Sequence, residues 1–230
     1  AYGNLKIQKK LGLPILGIIH HPITVDRRLE LDNARTFLER LGKRRWYAFT
    51  RMQTRVCQKI QRIITVSESS KEDISHDHKV DINKIHVVPI GIDTDFFAPQ
   101  TDIERIPGRI VSTASADVPL KGQKFLLEAI AKVRDEFPHV HLELVGKQRE
   151  GSTTAETLNQ LGLDDIVRFN QGISYEELVN LLASAEVAIV PSLYEGFSIP
   201  AIEALSCGAP LIASTGGALP EVAGPHLETC

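Results

Sequence analysis

Short apolar runs of four to seven residues alternate with helix-length tracts along most of this chain, and that alternation constrains the fold more than any other feature. The runs are "PILGIIH" (Pro14–His20), "IITVS" (Ile63–Ser67), "IHVVPIG" (Ile85–Gly91), "RIVSTAS" (Arg109–Ser115), "VHLELVG" (Val140–Gly146), "IVRF" (Ile166–Phe169), "VAIVPS" (Val187–Ser192) and "PLIAS" (Pro210–Ser214). Helical patterns fall between them, at 31–62, 121–137, 154–161, 175–183, 199–207 and 219–223, with a further short one after Ser67. Strands separated by helices predict βαβ units and parallel sheets. In 121–137 the residues Leu126, Ile130, Val133 and Phe137 share one face at helical spacing. Ser174 and Glu177 have the spacing of a capping box before the 175–183 helix.

A chain of 230 residues, 43% of them hydrophobic, can bury one large core or two modest ones. The polar, proline-containing stretch 93–107 is the expected linker, so the expected domains are 1–92 and 108–230. A formal net charge of −3 gives no general case for nucleic acid as a partner. The three cysteines, Cys57, Cys207 and Cys230, are odd in number and scattered, which argues against a disulfide framework and fits a reducing, cytoplasmic setting. No apolar run reaches the roughly 18 residues of a membrane span.

In a parallel α/β sheet, ligands bind where strands end and helices begin. Three loops at such positions carry suitable chemistry: 115–122, 192–200 and 214–221. In the second, Glu195 and Glu203 bracket the turn "GFSIP". Gly196 permits close approach of backbone to a ligand. Ser198 is the expected N-cap, and Pro200 is tolerated in a first helical turn. The amides of Phe197, Ser198 and Ile199 then form an anion site at a helix start. Glu203, one turn in, can accept paired hydroxyls from a sugar ring. The competing reading is that both glutamates are ordinary solvated charges favoured by the helix dipole.

Those residues also carry a resemblance. "PSLYEGFSIPAIEALSCGAPLIASTGGALPE" (191–221) resembles the E-x7-E region of retaining glycosyltransferases with two Rossmann-like domains (GT-B type), the group 1 or family 4 type. "ITVSESSKEDI" (64–74), "IHVVPIGIDTDFFAP" (85–99) and "VPLKGQKFLLEAI" (118–130) are similar to further segments of the same family, in the same order. The resemblance implies two Rossmann-like α/β domains with parallel sheets, the first partial and the second nearly complete, in a piece of a longer transferase. It implies a nucleotide-diphosphate-sugar donor, a glycan, lipid or small-molecule acceptor, and no cofactor or metal. Residue by residue, it implies that Glu203 binds the ribose and Glu195 contacts the donor sugar near the reacting carbon. Lys121, with Gly122, pairs with the diphosphate in place of a metal, and the amides of Phe197–Ile199 hold the distal phosphate or the sugar. His20 faces the donor sugar, although His21 stands beside it and either could fill that place. Where the family carries an arginine six residues before the lysine, this chain has Ser115, which supplies neither charge nor a bidentate fork. Lys124, Arg149 and Arg168 are candidates to compensate.

The stretch 43–62 has seven basic residues and no acid. It is expected as one helix with Trp46, Phe49, Val56 and Ile60 on an apolar stripe and Arg44, Arg51, Arg55 and Arg62 on another face. Peripheral contact with an anionic membrane is one reading of it, and an ordinary surface helix is the other. No G-x-G-x-x-G follows any expected strand, which excludes a dinucleotide-dependent dehydrogenase on specifics. A nucleotide-sugar-binding module that transfers nothing is the alternative from another class, with donor binding and donor consumption as the discriminating measurements.

Overall fold

The structure, a computed structural model, describes residues 2–113 and 118–224. Ser115 and Cys230 therefore lie outside the described residues. The chain divides into two compact units. The first comprises residues 1–90 and 195–197, and the second comprises 91–194 and 198–230.

In the first unit, α1 (Tyr2–Leu11) precedes β1 (Leu16–Ile18), α2 (Ile23–Asp32), α3 (Phe37–Trp46), a 3-10 turn (Tyr47–Phe49), α4 (Thr50–Cys57), β2 (Arg62–Thr65), α5 (Glu68–His78) and β3 (Ile85–Val87). The strands pair in parallel in the order β1-β2-β3, with Ile63 opposite both Gly17 and Ile85. Val56, Cys57 and Ile60 from the α4 region pack with Ile63, Ile74 and Ile85 to make the core. β1 is an outer strand, and Ile18 on it is 64% exposed.

The single helix expected over 31–62 is not formed. α2 ends at Asp32 with Asn33 as its C-cap, and Thr36 restarts the helix as an N-cap, its side chain accepting from the Glu39 amide at 3.1 Å. This is the capping chemistry that favours Thr outside a helix over Thr within one. The expected apolar stripe changes accordingly. Trp46 is 74% exposed, while the neighbouring Tyr47 and Thr50 are buried, because the 3-10 turn rotates the chain between α3 and α4.

The second unit holds β4 (Arg109–Thr113), α6 (Gln123–Glu136), β5 (His141–Val145), α7 (Thr153–Leu161), β6 (Val167–Asn170), α8 (Tyr175–Ala183), β7 (Val187–Val190), α9 (Ile199–Ser206), β8 (Leu211–Ala213) and α10 (Leu219–Ala223). All five strands are parallel, in the order β6-β5-β4-β7-β8. Neighbouring residues of a strand face opposite sides of the sheet. Ile110 belongs to a cluster with Leu126, Leu127, Ile130 and Leu158 of α6 and α7. Val111 belongs to another with Leu178, Leu182, Ala204 and Cys207 of α8 and the α9 region. Helices thus cover both faces, and each fully buried Leu or Ile contributes on the order of 1.5–3 kcal/mol. The Ser174–Glu177 capping box forms as expected. The α6 stripe is shorter than expected: the helix ends at Glu136, and Phe137 is exposed. Phe97, in the stretch 93–107, is buried in the second unit's core, and its carbonyl accepts from the Ser206 hydroxyl. No helix among the described residues is long and apolar enough to cross a membrane.

Candidate functional site

The strand order of the second unit reverses between β4 and β7. From β4 the chain moves outward through β5 and β6, then returns to the other side of β4 for β7 and β8. At such a switch point the loops leaving the two central strands diverge and open a crevice at the sheet's carboxyl edge. The loops concerned are the one ending at Lys121–Gly122 and the one running from Pro191 to Ser198.

Three loops are fastened together there. The Leu193 amide donates to the Leu120 carbonyl at 2.8 Å, which ties the loop after β7 to the loop after β4. The Ser214 hydroxyl donates to the Ser192 carbonyl, tying in the loop after β8. Gly216 sits so close that an added Cβ would stand 2.6 Å from both the Ser192 and the Leu193 carbonyl oxygens. Gly122, at φ +67°, lies against the Pro191 carbonyl and opens α6. Only glycine meets both demands, a left-handed φ and no side chain. Lys121 closes a 3-10 turn, Pro119–Lys121, immediately before it and is half-buried. Ser192, Ser214 and Gly216 were not singled out as site residues from sequence. Their signal was the glycine pair in "STGG", which marked a close backbone approach without naming its partner.

Ser198 departs from expectation in an informative way. It occupies the N-cap position of α9 but at φ +83°, ψ +78°, and its side chain caps nothing. It is 4% exposed, and its Oγ has no hydrogen-bond partner among the described residues. A non-glycine residue in the left-handed region carries strain, and a buried unpaired hydroxyl adds a desolvation cost. Both costs are retained beside the free amides of a helix start. Ile199 begins α9 and Pro200 follows in its first turn, as expected.

Glu203 lies one turn into α9, half-buried, and burial raises its pKa above the usual carboxylate range. The thiol of Cys207 is pushed up to about 11, by burial first and by the Glu203 charge second. A carboxylate held partly out of water gains more from a hydroxyl donor than a solvated one does.

The first unit holds the other candidates. Gly196 is fixed there: its carbonyl accepts from the Ser67 hydroxyl at 2.7 Å and the Ser70 hydroxyl at 3.0 Å, both fully buried. A Cβ on Gly196 would stand 2.8 Å from the His20 carbonyl oxygen and 3.0 Å from the His21 Cβ. Glu195 and Phe197, on either side of it, are half-buried. The two histidines are now distinct. His21 Nε2 lies 3.2 Å from Asp26 Oδ2, an ion pair when the ring is protonated, while His20, just past β1, is exposed. Sequence analysis did not single out Ser67 and Ser70; Ser67 also caps α5, accepting from the Ser70 amide at 3.0 Å.

Comparison with known proteins agrees with this architecture. Residues 103–228 match the family described as glycosyl transferases group 1, and residues 1–96 match glycosyltransferase family 4. The chain is 50% identical, over 98% of its length and 54% of the relative's, to a protein of Mycolicibacterium hassiacum named MMP alpha-(1->4)-mannosyltransferase. It is 33% identical, over 73% of its length and 41% of the relative's, to a D-inositol 3-phosphate glycosyltransferase of Mycolicibacterium smegmatis. It therefore spans about half the length of these relatives. A sucrose-phosphate synthase from Thermosynechococcus elongatus superposes with a TM-score of 0.75 at 24% identity, covering 97% of this chain and 56% of that one. HepE of Anabaena, solved with UDP and glucose, superposes with a TM-score of 0.70 at 18% identity, covering 93% and 56%.

Proposed function

The chain belongs to the group 1 glycosyltransferases, with the GT-B fold, and from that premise we propose that the whole protein moves a hexose from a nucleotide-diphosphate-sugar to an acceptor hydroxyl with retention of configuration. In that reaction the bond from the anomeric carbon to the diphosphate breaks, the acceptor oxygen takes its place, and the acceptor's proton is released. The observation that carries the reading is the fastening of three loops at the β4/β7 switch point. It supports Lys121 and Gly122 as residues that meet the nucleotide, since ligands of such sheets bind at the switch point.

The roles follow from chemistry at each position. Glu203, half-buried, accepts the two ribose hydroxyls. Lys121 stabilises the diphosphate as it departs, the electrostatic task that a metal performs in other transferases. The start of α9 offers the amides of Ser198 and Ile199, with the unpartnered Ser198 Oγ among them, to a phosphate or sugar oxygen. Gly196 and Phe197, with Glu195, contact the donor sugar, as does His20. Ser115, where the family carries an arginine, offers the diphosphate one neutral hydrogen bond in place of the charged fork. The name of the relative at 50% identity makes mannose the first sugar to try. The free, buried Cys57 and Cys207 suit a reducing cytoplasm. Peripheral contact with an anionic membrane through 43–62 belongs to the same proposal, supported by the exposed Arg44, Arg45, Arg51 and Arg55 and by Trp46.

A panel of nucleotide-sugars with the whole protein, read as nucleotide released, tests the reading. Lys121→Ala should slow release by about two orders of magnitude, the usual scale for one transition-state donor, and EDTA should leave the wild type unaffected. Inhibition by EDTA would overturn the metal-free picture. Binding of a donor that is never consumed would support a non-catalytic binding module instead.

A further inference from the structure

Four arginines line one cavity of the first unit. Arg27 on α2, Arg44 and Arg45 in the last turn of α3, and Arg51 in the first turn of α4 line a space of about 470 Å3, together with Leu41 and Tyr47. No acidic side chain lines it among the described residues. Surface arginines are common, and two at the end of a helix are favoured by its dipole. The pairing of their neighbours separates this group from that background. Arg28, next in sequence to Arg27, binds Asp77 at 2.8 Å. Lys43, next to Arg44, binds Glu39 at 2.9 Å and lies 4.0 Å from Glu30. The side chains of the four arginines around the cavity make neither an ion pair nor a hydrogen bond to any described residue. Four like charges around one space repel one another and favour an anion there, and the carboxylates that act on Tyr47, Glu30 and Asp26, are not among the lining residues.

The floor of the cavity is firm. Tyr47 is 6% exposed, and its pKa is raised by burial and, next, by the charge of the Glu30 carboxylate. The Thr50 hydroxyl donates to the Tyr47 carbonyl at 2.8 Å, fixing the 3-10 turn between the helices that carry the arginines. A rigid turn spends little entropy on ordering when a ligand arrives. Arginine is planar and always charged, and its donors match two oxygens of a phosphate at once. The volume leaves room for a phosphate with a small polyol attached, within the range of ordinary ligand sites.

We propose that this cavity binds a phosphate ester. The same chemistry can come from a soluble phosphorylated compound or from a phospholipid headgroup, and the test has an arm for each. The 230-residue chain is titrated calorimetrically with glycerol 3-phosphate at low salt. It is also sedimented with phosphatidylglycerol vesicles and, as a control, with phosphatidylcholine vesicles. Arg44→Gln/Arg45→Gln and Arg27→Gln/Arg51→Gln are compared with Arg62→Gln, which lies outside the cavity lining. Thermal unfolding confirms that each variant folds. Saturable binding of glycerol 3-phosphate, weakened about tenfold or more in both double variants and unchanged in Arg62→Gln, supports the site with a soluble ligand. Binding to phosphatidylglycerol alone, lost in the same variants and displaced by glycerol 3-phosphate, supports it with a lipid ligand. An equal loss in Arg62→Gln would reduce the effect to general charge attraction and overturn the site. So would the absence of both saturable binding and vesicle binding.

Discussion

The α-carbon of Gly122 faces the carbonyl group of Pro191 so closely that an added Cβ would stand 2.8 Å from the carbonyl carbon. Gly122 also has φ +67°. This contact lets the turn carrying Lys121 lie directly on the strand that leads into the Glu195–Glu203 segment.

Gly122→Ala should therefore destabilise the second unit by about 1–3 kcal/mol, from left-handed backbone strain together with the clash. Denaturant unfolding followed by circular dichroism checks the stability. Donor titration should show a larger fractional loss, because α6 must move away from Pro191 and take Lys121 with it. A variant as stable as the wild type and equally tight for donor would mean that the contact is looser than described.

Most of the second unit could be read from sequence because its strands are short, largely apolar runs set apart by helix-length tracts. "VAIV" is continuously apolar, as a strand covered on both faces is, and Ser174–Glu177 marks a helix start by local chemistry alone. The first unit was harder. The tract 31–62 has helix formers throughout, so the break between Asp32 and Thr36 rests on one capping hydroxyl, and the rotation at Tyr47 rests on tertiary packing. α1 and α2 were not expected, because Tyr2–Leu11 and Ile23–Asp32 are largely polar, with little periodic apolar signal. At the site, residue types gave the candidates but not their geometry. Ser198 has the composition of an N-cap, and only the fold shows it in a left-handed conformation with its hydroxyl buried and unpaired.

Ser198→Gly should raise stability and lower donor affinity together. Glycine takes φ +83° without strain and removes the unpaired buried Oγ, and relief of roughly 1–3 kcal/mol is the scale of such costs. If the hydroxyl meets a phosphate or sugar oxygen, the same change removes a bond to the ligand. Thermal unfolding and donor titration on one preparation test both halves. A rise in stability with no change in affinity would show that Ser198 does not touch the donor.

Asp77 joins α2 to α5 in the first unit. The Thr24 hydroxyl and Arg28 both donate to its carboxylate, the arginine to the two oxygens at 2.9 and 2.8 Å. Burial alone would raise its pKa, but the bonds from Thr24, Arg28 and His76 outweigh it and hold the carboxyl below its ordinary value. A depressed folded pKa contributes stability that is present above the unfolded value of about 3.9 and is lost as pH falls through the folded one. Asp77→Asn should open α2 more readily at pH 7, by about 1–3 kcal/mol. Hydrogen exchange of the α2 amides measures this, and the gap between variant and wild type should narrow below about pH 4. A gap independent of pH would exclude the ionised carboxylate as its source.

Glu203 yields a prediction in which stability and binding move in opposite directions with pH. Burial raises its folded pKa, so the native state holds its proton more tightly than the unfolded chain does. Between the unfolded value of about 4.3 and the raised folded value, the native state binds more protons, and stability falls as pH rises through that window. Glu203→Gln carries no charge at any pH and escapes this loss. Relative to wild type, the variant should be more stable at pH 7 than at pH 4. Binding should run the other way. A ribose hydroxyl bonds more strongly to a carboxylate than to an amide, and that carboxylate is the form which burial disfavours. Free UDP or GDP should therefore bind Glu203→Gln about tenfold or more weakly at pH 7, on the scale of a hydrogen bond to a charged group. In the wild type, nucleotide binding should release protons near the raised pKa of Glu203, because the ligand stabilises the ionised form. Calorimetric titration in two buffers of different ionisation enthalpy reads that release directly. Proton uptake instead of release, or equal affinity of variant and wild type for the nucleotide, would remove Glu203 from the ribose.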